Sequence, residues 1–275
     1  MNPSEILARA KAYPFPRPDS SVILVGDRLF ELIEVDHEDL SASRLRSGDS
    51  IASVGDVAAA AGAPPEEIGA PRTAVLAYGS NASPESLRWK FPDHVAVLPL
   101  LRGTAGGLDV VYSAHMTVYG SIAATLQASP GTTAEVFVAL LTEAQLERVT
   151  AWEINAMPER LDGAEIELEC AARPAEMTAF ISRHGCLAKG ETEIAVADVP
   201  CEDRRFPAMT EPEVLEHART IAAPNASLDD FILEGVRDYS LAQAYTETLK
   251  RTARPFRKPR TATPETPSRR GDSNP

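Results

Sequence analysis

The chain has 275 residues, 44% of them hydrophobic, with a formal net charge of −13 and a pI near 4.9. That length supplies one large or two small cores, and so acidic a body repels phosphate backbones, arguing against nucleic acid as a partner. No stretch approaches the roughly 18 apolar residues that span a membrane, and the N-terminus has no apolar core of signal-peptide length, so a membrane partner is not expected.

Residues 1–20 are rich in Pro and charge and read as an irregular lead-in. Ser21–Asp36 alternates like two strands around Gly26-Asp27, a hairpin signal. Residues 49–61 are small and end Ala-rich, consistent with a short helix, before Pro64-Pro65 and Pro71 punctuate the chain. These breaks place an N-terminal extension at 1–71 and a main domain at 72–254.

Within that domain Thr73–Tyr78 reads as a strand and Ser83–Trp89 as a helix, with Ser83 as N-cap and Pro84 at the first helical position. His94–Leu101 reads as a strand and the glycines of 103–107 as a loop. Val118–Gln127 and Glu135–Leu141 read as two strands reversed by a Pro130-Gly131 type II turn. Thr142 and Gln145 form a capping-box pattern, so a helix runs from Glu143 to about Glu153. Strands follow at 165–173 and 177–181, and helices at 211–220 and 228–252. Strands first and longer helices late give an α+β class. The last 26 residues hold eight basic and two acidic side chains and read, from 255 on, as a disordered basic tail.

Cys170, Cys186 and Cys201 are odd in number and widely spaced, which reads as reduced cytoplasmic thiols rather than a disulfide framework. The five histidines show no metal-ligand spacing. Ser80 lacks the surroundings of a nucleophile elbow. Trp89 and Trp152 read as packing residues, and the acidic stretch 191–203 as solvated surface.

Two features stand out. Glu153 lies seven residues after Leu146 and four after Val149, on their apolar face. A carboxylate there is costly unless paired or protonated, and the helix C-terminus disfavours its charge. Both effects favour general acid–base use. If the helix ends early, Glu153 points to solvent instead. The second feature is Tyr78-Gly79-Ser80-Asn81, between a strand and a helix. Its consecutive N–H groups suit an anion-binding nest, and its residue types equally suit an ordinary turn.

Together, "LAYGSN" and "GSIAATLQASPGTTAEVFVALLTEAQLERVTAWE" resemble the γ-glutamylcyclotransferase-like family over residues 74–153. That family is similar in its aromatic-Gly-Ser-Asn loop, its strand pair with a Pro-Gly turn, and its helix ending in a catalytic Glu. The resemblance implies a small mixed β-barrel flanked by helices and cofactor-independent conversion of a small-molecule γ-glutamyl amide to 5-oxoproline. Glu153 would be the catalytic acid/base, and Tyr78, Gly79, Ser80 and Asn81 would bind substrate. The chain departs from the family at Ile154-Asn155-Ala156, where a Gly usually follows the Glu and an aromatic comes soon after. A non-catalytic binder of a metabolite or partner protein is the alternative.

Overall fold

The computed structural model describes residues 1–36, 38–92, 95–161, 164–171 and 174–259. It is α+β, with one large mixed sheet and eight helices among the described residues.

The first residues form a helix, α1 (Pro3–Lys11), rather than an irregular lead-in. Its reason is local. Asn2 and Glu5 close a capping box around Pro3 at the first turn, while Arg9 and Lys11 complement the dipole at the last. Strands β1 (Val22–Val25) and β2 (Arg28–Glu34) form the expected hairpin, and β3 (Arg44–Ser47) and β4 (Ser50–Ser53) extend it. Helices α2 (Val54–Ala60) and α3 (Pro65–Gly69) follow. The extension is not set apart from the sheet, because β1 pairs antiparallel with β6 (Val97–Met116).

The spine of the fold is the ribbon of β6 and β7 (Ile122–Leu141), each 20 residues long. Two local expectations fail here for one reason. The glycines of 103–107 are strand, not loop. Gly103 lies so close to the backbone of β9 (Glu165–Leu168) that a Cβ would stand 2.1 Å from the Glu167 carbonyl oxygen. Gly107, at φ +77°, sits where the register shifts. Opposite it, residues 129–132 bulge between the pairings of Ala128 and Thr133, with Gly131 at φ +84°. Pro130-Gly131 therefore bends one continuous strand instead of reversing it.

β5 (Thr73–Ala77) pairs with β7, and β10 (Thr178–Ser182) pairs with β5 and with β8 (Ala156–Arg160). The main path runs β4-β3-β2-β1-β6-β7-β5-β10-β8 and stays open. The expected small barrel is thus not closed by these pairings: the N-terminal strands β1–β4 prolong the sheet beyond β6 instead of the sheet returning on itself. Adjacent strand residues enter opposite cores. Ile23 and Val25 join one cluster with the C-terminal helices, while Val22 and Leu24 join another beneath α4 (Pro84–Lys90) and α5 (Glu143–Trp152).

The Thr142–Gln145 capping box starts α5 as expected. Ser83 occupies the N-cap of α4, but its side chain makes no capping bond and its hydroxyl is buried without a partner. The helix expected at 211–220 forms as α6 (Glu211–Ala222), and the one expected at 228–252 is two pieces, α7 (Leu228–Arg237) and α8 (Tyr239–Leu249), separated where Asp238 caps α8. Of the expected disordered tail, Arg257 is hydrogen-bonded to Gln127 and Ala128 and paired with Glu193, which is itself buried within the stretch read as solvated surface. Residues 260–275 and His37, His94, Ala172 and Arg173 lie outside the described residues. Among the described residues no helix is long and apolar enough to cross a membrane, and the three thiols are free.

Candidate active site

β5 ends by delivering Tyr78 and Gly79, both buried, into a short 3-10 turn at Ser80–Ala82. The turn bonds Ala82 N–H to the Gly79 carbonyl and Ser83 N–H to the Ser80 carbonyl. The N–H groups of Gly79, Ser80 and Asn81 have no hydrogen-bond partner among the described residues. Tyr78 is fixed by donating its hydroxyl to the Phe180 carbonyl of β10. Burial, and then the Glu153 carboxylate, hold its pKa above the usual phenol range.

Glu153 caps α5 at its C-terminal end, with its side chain 23% exposed. The Asn81 amide donates to Glu153 Oε1 at 2.9 Å. The Lys90 ammonium, from the end of α4, donates to the same Oε1 at 3.0 Å and to Asn81 Oδ1 at 2.6 Å. The cost of drawing a partly buried carboxylate out of water is therefore met by a charge partner. Both donors fall on Oε1. Oε2 has no hydrogen-bond partner among the described residues.

All five sequence-predicted residues, Tyr78, Gly79, Ser80, Asn81 and Glu153, line one cavity of about 580 Å³. A larger cavity of about 820 Å³, between the β1–β2 turn, α2 and the end of α4, gathers none of them.

The sequence did not reveal the rest of the lining. Lys90 was hidden as an ordinary last-turn lysine. Tyr119, in the β6–β7 turn, lines the same cavity as Ser80, and burial raises its pKa. Tyr13 and Phe15 arrive from the segment after α1, and the Tyr13 hydroxyl accepts from Ala124 N at 2.7 Å. His115 lines another wall, its pKa pushed down to about 3 by burial and by His184, so its imidazole is neutral at ordinary pH. It bonds Ser113 Oγ at 2.7 Å, which meets Ser182 Oγ at 2.6 Å. Trp89 and Trp152 are not packing residues. They are 54% and 58% exposed and, with Val118 and Ile154, line the same cavity as an apolar rim.

The chain matches no family model, no curated protein and no solved structure. The chemistry of the cavity must carry the functional reading. It offers a carboxylate with one oxygen anchored and one unbonded, unspent backbone donors about one loop away, and a cavity the size of a small molecule. Among the described residues no group of three His, Cys, Asp or Glu side chains could hold a metal ion.

Proposed function

We propose that this protein is a γ-glutamylcyclotransferase-like enzyme acting on a small γ-glutamyl amide. The observation that carries the reading is the hydrogen bond from Asn81 to Glu153, which joins two motifs 72 residues apart in one cavity. In this reading the γ-glutamyl end lies against the Gly79–Asn81 N–H groups, which hold its polar atoms and the oxygen that gains charge. Oε2 of Glu153 takes a proton from the substrate's α-amine. The amine nitrogen bonds to the γ-carbonyl carbon, the original amide C–N bond breaks, and Glu153 returns the proton to the departing amine. The products are 5-oxoproline and a free amine or amino acid. Because nucleophile and electrophile belong to one molecule, proximity is built in, and positioning with one proton shuttle suffices. Lys90 and Asn81 hold the carboxylate in place through Oε1.

The test is 5-oxoproline release from a panel of γ-glutamyl amino acids, γ-glutamylamines and γ-glutamyl-protected intermediates, with Glu153→Gln in parallel. Release by the wild type and a loss of about 100-fold or more in the variant are expected. Equal release by both would refute the role of Glu153. A second reading, a metabolite binder without turnover, is favoured by the Lys90 ammonium on Glu153 and by Ile154-Asn155-Ala156 after it. Binding without 5-oxoproline release would select it.

A further inference from the structure

Two cationic side chains other than the chain terminus line the cavity, Lys90 and Arg9. Lys90 spends its donors on Asn81 and Glu153. Arg9 does not. Its guanidinium carbon stands 4.0 Å from the Trp89 ring centroid, 5.0 Å from Phe15 and 5.6 Å from Tyr119. Three rings thus hold it in place by cation–π attraction. Its side chain is only 17% exposed, yet among the described residues its guanidinium makes no hydrogen bond. Among the described residues its ion-pair partner, Glu85, stands at 3.8 Å and is 58% exposed, too far for a hydrogen bond and largely screened by water.

We propose that Arg9 is the anion-recognition residue of this cavity and takes a carboxylate borne on an apolar or aromatic ligand. A guanidinium fork matches a planar carboxylate with two parallel N–H···O bonds. Preorganisation by the rings removes most of the entropy cost of ordering a long side chain. The charge count favours a monoanion. Among the described residues Arg9 is the one cationic side chain of the cavity without a hydrogen bond, while Glu153 lines the same cavity and Glu85 stands beside the guanidinium, so a phosphate dianion on Arg9 would be undercompensated. Trp89, Trp152, Val118 and Ile154 supply apolar surface for the adjoining part of the ligand. The site goes beyond the Glu153 chemistry and is independent of it.

The test is calorimetric binding of 3-phenylpropionate and of its neutral amide, 3-phenylpropanamide. The wild type should bind the acid about tenfold or more tightly than the amide. Arg9→Gln should erase that preference, and Arg9→Lys should keep part of it, because charge remains while the fork is lost. An unchanged preference in Arg9→Gln, or none in the wild type, overturns the proposal. Should Arg9→Gln fail to fold, Glu85→Gln carries the test. It should tighten acid binding about twofold or more and leave the amide unaltered, and an unaltered acid affinity overturns the proposal. No turnover is involved. An inactive Glu153 therefore leaves this inference standing, and a lost carboxylate preference leaves the cyclisation standing.

Discussion

Gly79→Ala is the sharpest probe of how the N-terminal segment shapes the cavity. A Cβ on Gly79 would stand 2.5 Å from the Tyr13 hydroxyl oxygen and 3.3 Å from Ala124 Cβ. Tyr13 is 4% exposed and cannot swing into solvent. Its ring is edge-on to Phe15 at 5.7 Å and stacked on Tyr119 at 6.3 Å. Making room displaces the hydroxyl from Ala124 N, which it meets at 2.7 Å. Overpacking costs about 1–3 kcal/mol, and stranding a partly buried N–H about 1–3 kcal/mol. Because the two are coupled, the expected total is about 2–4 kcal/mol. Urea unfolding with an unchanged m-value reads it directly. The cycle with Tyr13→Phe isolates the mechanism. Without the hydroxyl the alanine should cost at least about 1 kcal/mol less than in the wild type. An equal cost in both backgrounds, or a cost under about 0.5 kcal/mol in Gly79→Ala alone, would refute the reasoning.

Burial holds the Glu211 carboxyl protonated well above the ordinary carboxylate range. Stability from this group is present at low pH and lost as pH rises, so Glu211→Gln should gain on the wild type as pH rises above the ordinary carboxylate range, by at most about 1.4 kcal/mol per pH unit; a pH-independent difference would contradict this. For His115, held neutral with a pKa near 3, the sign is opposite. Its contribution is complete above about pH 6.5 and declines as pH falls towards 3, a slope that His115→Gln should remove in acid unfolding curves. Lys90→Met should destabilise by about 1–3 kcal/mol, because it leaves Glu153 and the Asn81 carbonyl without their shared donor; chemical unfolding checks it. Gly103→Ala should cost at least about 2 kcal/mol, since its Cβ would collide with the Glu167 backbone rather than a movable side chain.

The signals that were legible in the sequence were local ones. The Thr142–Gln145 capping box starts α5 and Gly26-Asp27 turns the first hairpin, while α5 ends at Trp152 with Glu153 as its C-cap, close to the expected end. What failed depended on distant partners. Gly103 reads as a loop until Glu167 is seen against it, and Pro130-Gly131 reads as a reversal until β6 is seen continuing opposite. An open sheet, rather than a barrel, follows from β1–β4 adding to β6, a pairing that no local pattern encodes. The site was half legible for the same reason. The loop and Glu153 carry their own signals, but Tyr13 and Arg9 become cavity residues through where α1 packs, against α7 and under Trp89.

The cavity draws its walls from residues near 9–15, 78–90, 115–124, 151–156 and 180–182. No two adjacent elements suffice to build it, so it exists only when the chain is fully assembled. Occupancy and folding are therefore one linked equilibrium. A ligand at 100 times its dissociation constant should stabilise the whole protein by about 2.7 kcal/mol. A rise in melting temperature that Arg9→Gln or Glu153→Gln diminishes then reports entry into this cavity without any knowledge of the reaction, and turns the fold itself into the assay by which its ligand can be found.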